Sequence, residues 1–426
     1  MHLMYFTEQP MSTYPPAEGD RYGYTALLFP NKFFDPIAGS RLYNERLDEY
    51  QYVEECGWDG IMLNEHHNAP FCMQAKCNIF ATAIAATTKR VKIVLLGNPL
   101  PVADNPVRLA EELAMIDLLS MGRLVPGIVR GGGVEAFASN TNPAFNRERF
   151  EEAHDLIIKT WTQPGPWRWE GNHYQFRVVN PWVIPMQKPH PRIWVPGVSS
   201  RETVVWCAEH GYPYIGLNLP TDMAKQVCTL YDETASRHGY EGGSAYRGAL
   251  LQVRVDETEE KALKNAQQFM WMQGEFTGLT HPVWAAPSGY LGEWARRPMA
   301  ELRAGYRTKE RKSGDGRSDF QARIANGTLI AGTPKQVIEK LRIRLEETRC
   351  SILSLWGNDG NIDHKDSRSF IRLMGQEVLP ALREIAKSLA LDDPFDIPVS
   401  RQYADVKWEI PKQERVEHLA SGTRRA

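Results

Sequence analysis

The chain has 426 residues, and at roughly 100–200 residues per domain that length allows two to four domains, or one α/β barrel carrying insertions. Hydrophobic residues make up 42% and charged residues 24%, an ordinary globular balance that excludes a disordered or fibrous chain. Lys plus Arg (50) against Asp plus Glu (52) gives a net charge of −2, so no basic surplus exists to neutralise a nucleic-acid backbone.

A short apolar start predicts one strand (2–7), followed by a long loop rich in Pro, Gly and aromatics. Leu42, Leu47, Tyr50 and Val53 recur at helical spacing, with Gly57 as the stop. Gly60-Ile61-Met62-Leu63 is a short apolar run of the kind buried in parallel sheets. The alternation continues with a helix (74–88), a strand (91–96), a helix (104–120), a strand (124–129), a helix (147–162), a strand (193–195), a helix (200–210), a strand (214–217), a helix (222–238) and a strand (249–255). Residues 274–327 lose periodicity. At Thr333-Pro334-Lys335-Gln336, an N-cap Thr, a Pro at the first helical position and a Gln three residues on predict a helix start. That helix (333–347) leads to the eighth strand (352–356), a last helix to about 390 and a polar tail (392–426).

No apolar run approaches the ~20 residues of a spanning helix, and the N-terminus lacks the pattern of a signal peptide. The six cysteines (56, 72, 77, 207, 228, 350) form no CxxC pair and read as buried thiols in a reducing compartment. A cytoplasmic protein is expected. Short strands alternating with amphipathic helices imply right-handed crossovers and a parallel sheet. Eight such units close most economically into a (β/α)8 TIM barrel, here with an insertion before the eighth strand and a C-terminal tail. The expected domains are 1–391, with the insertion at 274–327, and the extension 392–426. An open doubly wound sheet is the alternative.

In a barrel, chemistry gathers at the C-terminal strand ends. Strand two ends in Glu65-His66-His67. Neighbouring strand residues face opposite sides, so one histidine is expected in the site and the other held structurally. Neither HxH nor HExxH occurs, which argues against a metal. Strand three ends in Gly97-Asn98. Strand four ends in Arg130-Gly131-Gly132-Gly133, where exposed backbone N–H groups and a guanidinium suit an anion; a plain flexible loop is the bland alternative. Gly131-Gly132-Gly133-Val134-Glu135-Ala136 formally satisfies a dinucleotide fingerprint, but Asn140 to Pro143 break the helix that such a site requires. Strand five leads through Ser199-Ser200-Arg201-Glu202-Thr203 into a helix, which can hold a phosphate or can be an ordinary N-cap.

These segments resemble the bacterial-luciferase-like flavin-dependent monooxygenases. The resemblance is carried by Glu54-Glu55-Cys56-Gly57-Trp58-Asp59 with Glu65-His66-His67, by Asn105-Pro106-Val107-Arg108, by the run from Ala110 to Leu124, by Gly127-Ile128-Val129-Arg130-Gly131, by the run from Trp206 to Pro213 and by Ala331-Gly332-Thr333-Pro334. It covers about residues 40–385, in order. It implies a barrel using reduced FMN as co-substrate, delivered by a separate NAD(P)H:flavin reductase, with oxygen transferred to a small organic substrate through a flavin 4a-(hydro)peroxide. By position, His66 matches the catalytic histidine, and Arg130, Arg147, Ser200 and Thr203 match the FMN-phosphate contacts. Ser199 joins them where luciferase carries a carboxylate. Gly97 and Asn98 match the bulge against the flavin ring, and 274–327 matches a mobile lid that includes 286–291. A homo-oligomer (dimer or tetramer) and no bound metal are expected. A deazaflavin-dependent dehydrogenase on the same barrel, a non-catalytic flavin-binding protein and a metal hydrolase are the alternatives.

Overall fold

The computed structural model describes residues 1–15, 17, 18, 21, 27, 29–198, 200–269, 320–358 and 361–407. Its strands are β1 (His2–Thr7), β2 (Gly60–Leu63), β3 (Lys92–Leu95), β4 (Leu124–Val125), β5 (Val195–Gly197), β6 (Tyr214–Leu217), β7 (Arg247–Val255), β8 (Leu329–Gly332) and β9 (Ile352–Asn358). Eight of them form one parallel sheet in the order β4-β3-β2-β1-β9-β7-β6-β5, and β8 pairs with β7. The sheet curls until a parallel bridge between Gly127 and Trp194 links its two edges. Trp194 N–H donates to the Pro126 carbonyl at 3.0 Å and Ile128 N–H to the Trp194 carbonyl at 3.4 Å. The fold is TIM-barrel-like.

Side-chain alternation explains the curl. Leu3 and Tyr5 of β1, Ile61 and Leu63 of β2, and Leu353 and Leu355 of β9 face the helices in one large core. Met4 and Phe6, Met62, and Ile352 and Trp356 face inward and meet Trp194 in a second core. Both faces of each strand are buried, so each run is apolar throughout rather than alternating. The helices are α1 (Pro36–Glu55), α2 (Cys77–Thr87), α3 (Pro106–Leu119), α4 (Gly133–Ala138), α5 (Asn146–Thr162), α6 (Arg201–His210), α7 (Thr221–Arg237), α8 (Glu259–Gln267), α9 (Phe320–Ala325), α10 (Pro334–Thr348), α11 (His364–Leu373) and α12 (Leu379–Ser388). At the start of α10 the Thr333 N–H donates to the Gln336 side chain at 2.9 Å, as the spacing predicts.

Several elements differ from the sequence expectation. Helix α1 starts at Pro36 rather than near Leu42, because Asp35 accepts from Ile37 N–H at 2.8 Å and Ala38 N–H at 3.2 Å. The single strand expected at 124–129 is two, broken at Pro126-Gly127. A hairpin, Trp167–Glu170 with Gln175–Val179, follows α5; its two tryptophans lie under the Lys159 ammonium, at 4.6 and 5.6 Å. Strand β8 extends the ladder beyond the point where β6 stops, since β6 pairs with Arg247–Leu250 and β8 with Gln252–Val255. The last helix is interrupted by a π turn over Met374–Val378, just before Pro380, which has no N–H to donate.

The tail begins as part of the fold. The Phe395 ring packs on His2 (4.5 Å) and Trp194 (5.7 Å), and Arg192 donates to the Phe395 carbonyl at 2.9 Å and the Ile397 carbonyl at 2.8 Å. Residues 408–426, and the lid expected over 274–327 as far as residue 319, lie outside the described residues. Among the described residues no helix is long and apolar enough to cross a membrane.

The break in β4 generates a test. A Cβ on Gly127 would lie 1.5 Å from the Leu95 carbonyl oxygen, whereas one on Gly57 (φ +79°) would meet nothing within 4 Å. Gly57→Ala should cost only the roughly 1–2 kcal/mol of a left-handed non-glycine residue, and Gly127→Ala, which must displace buried backbone, should cost more than about 4 kcal/mol. Urea denaturation of both variants decides; equal losses would refute the contact.

Candidate active site

The loop after β2 is bent rather than extended, with Asn68 at φ +63°. This brings both histidines to one carboxylate, contrary to the expectation that they diverge. His66 Nδ1 lies 3.3 Å from Glu135 Oε1, and His67 Nδ1 lies 2.5 Å from Glu135 Oε2. Glu135 sits on α4, whose six residues are too few for a dinucleotide helix. With both Nδ1–H groups donating to Glu135, Nε2 is the ring atom of His66 left to exchange a proton. His67 Nε2 instead faces Glu65 at 3.6 Å, and Glu65 also takes Lys76 at 3.1 Å and the Cys77 N–H at 3.2 Å.

The electrostatics follow from burial. Burial alone would raise the Glu135 carboxyl, but the hydrogen bonds from His66 and then His67 outweigh it and bring it down to about 2. Burial likewise opposes the His66 cation, yet the Glu135 hydrogen bond, followed by the charges of Glu8, Glu135 and Glu65, raises its pKa above the ordinary value. For His67 the Glu135 hydrogen bond is the largest cause, and it too is raised. Glu8, hydrogen-bonded to Asn64 at the end of β1, is pushed up by burial against the counter-pull of His66 and Asn64. Two buried carboxyls thus flank His66 with pKa values displaced in opposite directions.

Gly97 (φ +156°) ends β3, with its Cβ position 2.6 Å from the Gly127 carbonyl oxygen. Asn98 follows, only 1% exposed, and neither its side-chain oxygen nor its nitrogen has a partner. Leaving both unpaired is costly unless a ligand meets them. Asn98 also borders a charged cavity of about 260 Å³ shared with Lys76, Arg108 and Glu112.

Arg130 and Arg147 lie close together along the chain's fold after β4, linked through Asn146. The Arg130 carbonyl accepts from Asn146 at 3.0 Å, next to Arg147, whose Nη2 is buried without a partner. The Cys207 thiol of α6 is raised well above its ordinary range by burial, with Arg147 pulling the other way, which places that guanidinium beside α6. Ser200 is the N-cap of α6, its hydroxyl 3.1 Å from Glu202, and Thr203 lies in the first turn. Ser199 lies outside the described residues.

Beside the histidines lies a cavity of about 400 Å³ lined by Met11, Tyr14, Phe29, Phe33 and Met73, among others, with no charged side chain among the described residues of its wall. Phe71 connects it to the site, its ring 4.9 Å from His66. Sequence reasoning missed Glu8, Glu135 and this cavity. Glu135 was visible only as a letter in the dinucleotide decoy, and the aromatics of 14–34 carried no periodicity.

The Glu135 clasp has a definite pH signature. A raised histidine contributes stability below its unfolded pKa, ordinarily 6.5, and loses it as pH rises through the folded value; a depressed carboxyl contributes above 4.5 and loses it as pH falls towards about 2. Glu135→Gln should therefore cost roughly 2 kcal/mol near pH 5.5, and less at pH ~3 and pH ~9. Urea midpoints at the three pH values check this; a pH-independent loss would contradict it.

The chain is similar to several known proteins. The "Alkanal monooxygenase alpha chain" of Photobacterium leiognathi is 25% identical over 337 residues, 78% of this chain and 91% of that one. The "Flavin-dependent trigonelline monooxygenase, oxygenase component" of Acinetobacter baylyi is 30% identical over 173 residues, 38% of this chain and 45% of that one. The oxygenating constituent of 3,6-diketocamphane monooxygenase from Pseudomonas putida, solved with FMN, superposes with a TM-score of 0.64 at 18% identity, covering 80% of this chain and 93% of that one. Residues 26–350 match the luciferase-like monooxygenase family, and the chain belongs to it.

Proposed function

We propose that the protein is the oxygenase component of a two-component, flavin-dependent monooxygenase that takes reduced FMN from a separate NAD(P)H:flavin reductase and transfers one oxygen atom of O2 to a small organic substrate. The observation that carries the reading is His66, tied through Nδ1 to a deeply ionised Glu135 at the end of the strand that neighbours the one ending at the unpaired Asn98. On this reading the strands form a closed (β/α)8 barrel, 274–327 is its lid and 392–426 its extension. The protein is a cytoplasmic homo-oligomer.

The donor set fits FMN. Arg130, Arg147, Ser200, Thr203 and Ser199 would hold the phosphate, and Gly97 and Asn98 would meet the ring edge with the two polar atoms that the fold leaves unpaired. When bound, reduced FMN supplies the electrons that activate oxygen; the protein supplies position and protons. The Glu135 hydrogen bond favours the protonated form of His66, and Nε2 is the atom that gives a proton as oxygen is transferred and recovers it afterwards. Glu135 fixes the tautomer and orientation of both imidazoles. The aromatic cavity would take the substrate without ionic contacts, which points to an uncharged molecule.

Arg130→Ala should weaken reduced-FMN affinity at least about tenfold, the equivalent of one lost charge-assisted hydrogen bond, with the fold intact; unchanged affinity by titration would remove Arg130 from the site.

His66→Ala should still consume oxygen with reduced FMN but release hydrogen peroxide, the product-to-peroxide ratio falling about a hundredfold for a lost acid/base group. His67→Ala should keep more of that coupling while losing stability. The assay follows 18O from O2 into product across aldehydes, ketones and heteroaromatic compounds. Reversed effects of the two variants would exchange the roles of the histidines. Hydride transfer with reduced deazaflavin and no oxygen uptake would replace the oxygenase reading altogether.

A further inference from the structure

Far from His66, between α7 and the strand starts of β7 and β9, two cysteines face each other. Cys228 lies on α7 and Cys350 two residues before β9, and each sulfur is 3.9 Å from the same carbonyl, that of Thr348. Both thiols donate to that one carbonyl oxygen, which brings the two sulfurs together. Both are free, Cys350 buried and Cys228 partly exposed. A crevice of about 20 Å³ reaches them, walled by Arg247, Arg344, Tyr231 and Tyr246. Since roughly 10–15 Å³ holds one water, the crevice admits a molecule the size of water or hydrogen peroxide and nothing much larger.

The charges around the pair are lopsided. Arg247 donates to the Thr348 carbonyl at 3.4 Å and to Asp232, and Arg344 donates to the Leu219 carbonyl at 2.9 Å and to Thr221. The Nε–H of each guanidinium is nevertheless buried without a partner, and Arg344 is only 4% exposed. The hydrogen bond from Cys228, with Arg344 and Arg247 behind it, holds the Cys350 thiol below the usual range against the effect of burial, while Cys228 is held well above it. One sulfur is an anion in waiting and the other a proton-bearing partner, the division of labour of a peroxide-reactive pair.

We propose that Cys228 and Cys350 form a peroxide-responsive dithiol that closes to an intramolecular disulfide. The Cys350 thiolate attacks one oxygen of hydrogen peroxide; an S–O bond forms, the O–O bond breaks, and the departing oxygen takes a proton and leaves as water. The Cys228 sulfur then attacks the sulfur of the Cys350 sulfenic acid; the S–S bond forms, the S–O bond breaks, and the hydroxyl leaves with the Cys228 proton as a second water. Two thiols are oxidised by two electrons and one peroxide is reduced to two waters. The unpaired Nε–H groups of Arg247 and Arg344 stabilise the thiolate and the departing oxygen. The closed bridge ties α7 to the start of β9 across the segment that carries β7 and β8.

The test uses the full chain with one equivalent of hydrogen peroxide, followed by alkylation in denaturant. Six alkylatable cysteines should become four, the mass should fall by two hydrogens, a non-reducing digest should show Cys228 linked to Cys350, and dithiothreitol should reverse all three. Cys228→Ser, a change at a partly exposed helix position, should keep the native circular dichroism, form no bridge and leave a Cys350 sulfenic acid that dimedone captures when it is added with denaturant after the peroxide. Six remaining thiols after peroxide, a bridge joining other cysteines such as Cys72 and Cys77, or a Cys228→Ser protein with no adduct at Cys350 would each overturn the proposal. None of these readouts involves flavin or substrate, so the result stands apart from the oxygenase assignment.

Discussion

The contact on which the site depends is the one between Gly97 and Gly127. The Leu95 carbonyl oxygen occupies the space of a Gly127 side chain, and the Gly127 carbonyl occupies that of Gly97. Neither β3 nor β4 can run straight through such a contact. Both break, and they pair again one step further on, Asn98 with Ile128 and Pro99 with Val129. Asn98 N–H donates to the Gly127 carbonyl at 2.9 Å, and Gly127 is also the bridge to Trp194 and hence to β5. One side-chain-free crossing thus delivers Asn98, the Arg130 loop and the approach to α6. A fold with side chains there would need wider strand spacing and would splay those three loops apart.

On that scaffold the electrostatics are set by a carboxylate that cannot stay buried alone. Glu135 is 7% exposed at its side chain and has two imidazoles within reach, so it ionises and favours the protonated form of both. Glu8, with only Asn64 and the His66 charge for company, goes the other way. Carboxyls displaced in opposite directions around one histidine are the arrangement by which a site holds acid and base side by side at one pH. The same reasoning separates the histidines. His67 is held at both ring nitrogens by Glu135 and Glu65, whereas among the described residues His66 is tied through Nδ1, so on the proposed function proton exchange would fall to His66 although both rings reach the same carboxylate.

The sequence made legible what depends on burial periodicity. Gly60–Leu63 and Tyr214–Leu217 stand where the apolar runs put them, and the capping residues of α10 named their own helix. The expectation failed where a contact distant in sequence decides the geometry. Nothing local to Leu124–Val129 shows that Leu95 will occupy the side-chain space of Gly127, and nothing local to Val134-Glu135-Ala136 shows two histidines some seventy residues upstream. The expectation that His66 and His67 face opposite ways is correct for a strand and fails because β2 ends at Leu63, so both lie in a bent loop to which strand alternation does not apply. The tail reads as polar, yet one aromatic, Phe395, is enough to dock its beginning beneath Trp194.

The cavity beside His66 separates binding from chemistry. The described residues of its wall carry no charge, so an occupant gains from them mainly by burying apolar surface. About 200 Å² of such surface at roughly 25 cal/mol/Å² stabilises a complex by about 5 kcal/mol, which corresponds to dissociation constants on the order of 10⁻⁴ M. Contacts of that kind distinguish ligands by shape and discriminate weakly between isosteres. Selectivity then rests on which atom of the occupant comes within reach of His66 Nε2, past the Phe71 ring that stands between cavity and imidazole. A loosely held, uncharged occupant and a tightly fixed, charged histidine cluster are complementary requirements. The first lets product leave without breaking an ion pair, and the second keeps the proton donor in place when the cavity is empty.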